Sequence, residues 1–191
     1  MGIYLNRGNE LFLQAVNSEI YVDKSELISY TNRILRTQQK YVCISRPRRF
    51  GKSMAVDMLV AYYSRGCDAE QIFSQFEIAK DSGFKKYLNK YNTISVNMQE
   101  ILSRSRSIYE LIERFNKLLI RDLKKEYPDV DYFDDTDVIE CMQDVYSQKK
   151  QAFIVILDEW DCIFREYKED KEAQEKYLDF LRDLLKDKAY I

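Results

Sequence analysis

Apolar residues along the chain fall into two patterns: positions spaced at helical period, and short unbroken runs between polar stretches. Leu11, Phe12, Ala15 and Val16 recur at helical steps and predict a helix over about 9–18. Asp23 followed by Glu26 reads as a capping box that opens a second helix running to about Gln38. Tyr41-Val42-Cys43-Ile44-Ser45 is β-rich without alternation, which predicts a short strand covered on both faces, with Cys43 as a small buried hydrophobe. Lys52 to about Arg65 predicts a mostly buried helix stopped by Gly66 in the left-handed cap position. Thr93 to Asn97 is a second strand candidate.

Farther along, Ser107 and Glu110 form another capping box. After them Ile108, Leu111, Ile112, Phe115, Leu118, Leu119 and Leu123 trace one face of a long helix up to Pro128. Asp129 to Asp137 is an acidic loop, and Val138, Ile139, Met142 and Val145 mark the helix after it. Ala152 to Leu157 is continuously apolar and predicts a strand at the centre of a parallel sheet. A last helix, near 172–188, turns Tyr177, Phe180, Leu181, Leu184 and Leu185 inward. Strands alternating with long helices predict an α/β fold, a three-layer sandwich with a mainly parallel sheet. No repeat and no Pro/Gly/Ser linker divides the 191 residues, so one domain is expected.

Composition narrows the chemistry. There is no histidine, which removes Ser-His-Asp and Cys-His catalysis and His-ligated zinc. Thirty Lys and Arg against 32 Asp and Glu leave a net charge of −2, so a global basic field for nucleic acid is absent. The four cysteines form no CxxC pair, which argues against a metal or disulfide framework. The first ten residues lack a signal-peptide core and a myristoylation signal, and no run has the length of a membrane span. A cytoplasmic, soluble protein without a membrane partner is the expectation.

The most informative segment is Arg46-Pro47-Arg48-Arg49-Phe50-Gly51-Lys52-Ser53, between the first strand and a helix that continues through Met54. A phosphate-binding P-loop reads GxxxxGK[ST] in that setting. Its backbone N–H groups converge on a polyphosphate at a helix N-terminus. Gly51 lets the backbone come close, Lys52 carries a mobile charge to the β- and γ-phosphates, and the Ser53 hydroxyl serves Mg²⁺. Arg46 stands where the pattern has its first glycine. The plain alternative makes FGKS a chance helix start beside three solvated arginines.

Asp158 and Glu159 follow the strongest strand, the Walker B arrangement. Asp158 would hold the Mg²⁺ shell and Glu159 would activate water as general base, at the strand end where ligands gather in parallel sheets. The competing reading is two acids that merely end a core strand. Two motifs at their proper strand ends favour an ATP site. A guanine-reading NKxD is missing, because Asn89-Lys90 and Asn116-Lys117 lack its Asp.

These residues resemble the predicted AAA-ATPase-like proteins of bacteria. Their RPRRFGK[ST] loop is matched by Arg46 to Ser53, their VDK[ST] by Val22 to Ser25, and their DE-aromatic-D by Asp158 to Asp161, with Trp160 where Tyr is usual. The resemblance runs from about Ile20 to Ile191 and accounts for the absent first glycine as a family habit. It implies an ATPase using ATP and Mg²⁺, with residues 1–38 a helical lead-in and 39–191 a P-loop core. It also implies sensor and lid elements beyond Ile191, and often a PD-(D/E)xK nuclease-like domain through which alone nucleic acid would be met. On that expectation residues 1–191 bind nucleotide, hydrolyse it slowly, and expose surface that invites self-association. The alternative is a nucleotide-dependent switch with little turnover, and a third reading is a degenerate loop that binds nothing.

Other constellations are weaker. Pro128-Asp129 with Glu169-Asp170-Lys171 spells a nuclease pair by chance, because Glu169 lies in a charged, helix-forming stretch. Arg104 and Arg106 decorate a loop, and Asp129 to Asp137 lacks calcium-loop spacing. Tyr41, Tyr62, Tyr63 and Phe73 are expected in the core.

Overall fold

The computed structural model of the protein describes residues 2–45 and 50–185. It is α/β and rich in helix, and it divides into two compact units. One is Arg7–Tyr91; the other is Asn92 onward together with the segment through Asn6.

The Arg7–Tyr91 unit holds α1 (Glu10–Val16), α2 (Glu26–Ile34), α3 (Lys52–Tyr63), α4 (Glu70–Phe73), a 3-10 turn at Glu77–Lys80 and α5 (Phe84–Tyr87). Aromatic rings make much of its core. Phe12 stacks on Phe73 with centroids 5.1 Å apart, and Tyr62 meets Phe73 edge-on at 5.3 Å. A polar chain ties three helices together. Tyr63 donates to Asn32 Oδ1 at 2.8 Å, Asn32 Nδ2 donates to the Tyr62 hydroxyl at 3.1 Å, and Tyr62 donates to the Phe84 carbonyl at 2.7 Å. Each link satisfies a buried polar atom that would otherwise oppose folding.

Several expectations in this unit are corrected. Leu11 is exposed, so α1 buries Phe12 alone. The second helix begins after Ser25 and stops at Ile34, where Leu35 turns extended and Arg36 goes left-handed. Asp23 does not cap it as a box: its Oδ1 accepts the Ser25 N–H at 2.8 Å, a turn before the helix. α3 ends at Tyr63 because Ser64 is extended, and the left-handed Gly66 lies beyond it. Tyr62, Tyr63 and Phe73 are buried as expected.

The largest correction is Tyr41 to Ser45. The run lies outside any helix or strand, and all five residues are exposed, Tyr41 and Cys43 included. A strand exists only through a ladder partner. Among the described residues of its own unit there is no strand for this run to join.

In the second unit β1 (Asn92–Asn97) and β2 (Phe153–Asp158) pair in parallel, from Asn92 opposite Phe153 to Asn97 opposite Asp158. The crossover between them is α6 (Met98–Leu102), α7 (Ile108–Glu126) and α8 (Val138–Lys149), and β2 leads to α9 (Cys162–Glu166) and α10 (Lys171–Leu185). Leu5 pairs antiparallel with Ile94 on the other side of β1. Among the described residues β1 is therefore the inner strand and β2 an edge, with Phe153 buried and Ile154 to Leu157 half-buried. Among those residues the 152–157 run does not take the central position expected of it.

α7 buries Ile108, Leu111, Phe115, Leu119 and Leu123, the face its spacing predicts. Ser107 Oγ accepts the Glu110 N–H at 3.2 Å, while the Glu110 carboxylate accepts the Arg106 N–H at 2.8 Å, one residue before the cap. The acidic loop is balanced by lysines of the adjoining helices, Lys149 to Asp129 and Lys124 to Asp135, both at 2.5 Å. Among the described residues no helix is long and apolar enough to cross a membrane.

Asp122 breaks the apolar rule of the α7 face. It is 2% exposed and accepts the backbone N–H of Tyr4 at 2.7 Å and of Leu5 at 3.4 Å. A Cβ on Gly2 would come within 2.6 Å of its Oδ2, so the approach of that segment favours glycine. The carboxylate thus holds the N-terminal segment against β1. Asp122→Ala leaves buried N–H donors unsatisfied, and a loss of about 2–3 kcal/mol is expected from the denaturant midpoint. A midpoint unchanged from the parent would mean that the segment is held by strand pairing alone.

Candidate functional site

The loop-bearing side chains sit at the start of α3. Gly51 is its N-cap and adopts φ +75°, ψ 30°, a left-handed conformation that disfavours a Cβ. Lys52 and Ser53 are the first two residues of the helix, with Met54 behind them. Among the described residues no side-chain hydrogen bond from the N-cap position caps this end of the helix. Phe50 is exposed, Ser53 is exposed, and Gly51, Lys52 and Met54 are half-buried. Arg46, Arg48 and Arg49 lie outside the described residues.

A residue from elsewhere in the same unit reaches this loop. Lys24 Nζ donates to the Phe50 carbonyl at 3.0 Å. The VDK[ST] resemblance marked Lys24 by position, but nothing in the spacing pointed it at a loop 26 residues away.

The acidic side chains occupy the carboxyl end of β2. Asp158 closes the strand, and its Oδ1 accepts the Glu159 N–H at 3.0 Å. Glu159 has φ +51°, a left-handed conformation that costs a residue with a Cβ about 1–2 kcal/mol. Strain of that kind collects at functional positions. The Glu159 carboxylate pairs with Arg165 of α9 at 2.6 Å. Arg165 also bonds Asp161 Oδ1 at 3.0 Å and Gln99 Oε1 at 3.2 Å. The Glu159 hydrogen bond holds the guanidinium above its ordinary pKa.

Gln99 stands in the first turn of α6, just past the carboxyl end of β1. The ends of both parallel strands therefore carry polar groups, the location where open α/β sheets place ligands. Sequence reading found Asp158 and Glu159 and missed Arg165 and Gln99. The Glu159–Arg165 interval of six residues is not a helical spacing, so the pairing had no periodic signal.

Other nucleophiles are poorly disposed. Burial pushes the Cys141 thiol up to about 12 and Cys162 up to about 11, far from a thiolate at neutral pH. Arg104 and Arg106 are exposed ahead of α7, as expected of a solvated loop.

A family model described as predicted AAA-ATPase matches residues 13–189. The chain belongs to the predicted AAA-ATPase-like family. The match takes in both the α3 loop and the end of β2, so an ATPase-like, nucleotide-binding character comes with membership. No curated protein and no solved structure matches the chain. For this AAA-ATPase-like chain the roles of single residues therefore rest on its own geometry.

Proposed function

We propose that the protein is an ATP- and Mg²⁺-binding P-loop ATPase of the AAA-like class. The observation that carries the reading is the left-handed Gly51 at the N-cap of α3, with Lys52 and Ser53 on the first turn. Backbone N–H groups at a helix start have no partner within the helix, and an anion satisfies them. Lys52 binds the β- and γ-phosphates, and the arginines at 46, 48 and 49 with Phe50 and Met54 complete the loop. The reading carries with it the three-layer P-loop arrangement, with 1–38 a helical lead-in and 39–191 the core.

The donor chemistry fits magnesium. Mg²⁺ prefers oxygen ligands and takes one or two from protein, the rest from phosphates and water. Ser53 and Asp158 supply a hydroxyl and a carboxylate of that kind. Bound there, the ion would neutralise charge on the phosphates. Among the described residues no three His, Cys, Asp or Glu side chains gather into a metal cluster, which a phosphate-shared magnesium does not require. Glu159 accepts the proton of the attacking water.

A second reading draws on one observation. The Glu159 carboxylate is already engaged by Arg165 at 2.6 Å, so it meets an attacking water only after that pair opens. A switch that binds ATP and keeps it would have this resting state. Multiple-turnover phosphate release supports the ATPase, whereas retention of intact ATP through repeated washing supports the switch. Asp158→Asn is expected to flatten the Mg²⁺ dependence of ATP binding by roughly tenfold in the metal titration midpoint. An unaltered midpoint would remove Asp158 from the ion.

A further inference from the structure

The segment Asp23-Lys24-Ser25 is built to hold one ammonium. Asp23 spends both carboxylate oxygens on backbone donors, Oδ1 on the Ser25 N–H at 2.8 Å and Oδ2 on the Glu77 N–H at 2.9 Å. Ser25 is fully buried, and its Oγ accepts the Ile78 N–H at 3.1 Å. The two flanking residues thus fasten the segment to the 3-10 turn at Glu77–Lys80. Lys24, between them, takes no part in that fastening.

Its ammonium goes to the loop. Nζ donates to the Phe50 carbonyl at 3.0 Å, and a Cβ built on Gly51 would stand 2.7 Å from it. The positive φ of Gly51 calls for glycine, and the ammonium stands close enough that a Cβ there would displace it. Lysine has three N–H donors, and among the described residues Lys24 bonds the Phe50 carbonyl alone. An ammonium resting on the loop with donors to spare suits an anion held by the same loop. Lysine acts there as a point charge.

We infer that Lys24 is a second phosphate-binding cation of the loop, meeting the polyphosphate of a nucleoside triphosphate together with Lys52. The inference rests on the nucleotide-binding reading of the loop. Lys24 reaches the loop from a segment before α2, so the site draws on two separated stretches of sequence. The ammonium can keep the Phe50 carbonyl while it donates to a phosphate oxygen. Because its partner is charge, its contribution grows from mono- to triphosphate and shrinks with added salt.

The test measures equilibrium binding of ATP, ADP and AMP to the parent chain, K24M, K24R and K52A, with the melting temperature of each ligand-free protein. Lys24→Met keeps the stem and removes the charge. It is expected to weaken ATP binding about tenfold, to weaken AMP binding far less, to reduce the salt dependence, and to leave the ligand-free melting temperature unchanged. Lys24→Arg recovers part of the loss. Parental ATP affinity in K24M, with affinity lost in K52A, overturns the role of Lys24 and leaves the loop reading standing. Equal losses for ATP, ADP and AMP with a lowered ligand-free melting temperature make Lys24 a brace for the loop and also overturn the inference. A parent that binds no ATP, or a K52A variant that binds it equally well, overturns the loop reading and the inference with it.

Discussion

Lys52→Ala is expected to lower ATP affinity by roughly ten- to hundredfold while the protein remains folded. The size follows from charge-assisted hydrogen bonds to a polyphosphate, each stronger than a neutral bond. The expectation of an intact fold follows from where Lys52 sits. It opens α3, whereas the buried residues of that helix are Met58, Val60, Ala61, Tyr62 and Tyr63, at its other end. The first helical position also tolerates alanine, the best helix former. Titration with a fluorescent ATP analogue, next to a thermal melt, separates lost binding from lost structure. A folded Lys52→Ala protein with parental affinity would remove the P-loop assignment. It would leave Gly51 explained only by its left-handed geometry and the Lys24 ammonium.

Much of the helical framework was legible because burial on one face leaves a period that survives without context. α7 is the clearest case: its spaced apolar residues and Ser107 cap reappear in the structure. β1 was legible as a strand candidate and β2 as an unbroken apolar run, and their parallel pairing places Asp158 at a strand end as expected. The position of β2 in the sheet was not legible, since an unbroken apolar run reads the same at an edge as at a centre. Tyr41 to Ser45 failed for a related reason: β propensity describes a residue, but a strand needs a neighbour. Asp122 was passed over as one more polar residue of an amphipathic helix. Its burial is decided by backbone donors of Tyr4 and Leu5 more than a hundred residues earlier in sequence. Lys24 and Arg165 escaped in the same manner, because each acts on a loop or acid that only folding brings near.

Glu159→Gln is expected to leave ATP bound and to reduce phosphate release by about 10²- to 10⁴-fold, the usual worth of a positioned general base. Glutamine keeps the shape of the side chain and can still accept a hydrogen bond from Arg165, but it cannot take a proton from water. The stability change should be small. The Glu159–Arg165 pair has side chains 26% and 30% exposed, and a partly solvated pair is worth about 0–1 kcal/mol. Arg165 also keeps Asp161 and Gln99 when Glu159 is neutralised. The left-handed backbone at Glu159 is unchanged by the substitution, since glutamine has the same Cβ. Single-turnover phosphate release at saturating ATP isolates the chemical step from binding. Release at the parental rate would assign water activation to another residue and leave Glu159 as an ion-pair partner of Arg165. Collapsed release with undiminished ATP affinity would place the proton transfer on Glu159, and its pairing with Arg165 would then be a contact that must yield before each turnover.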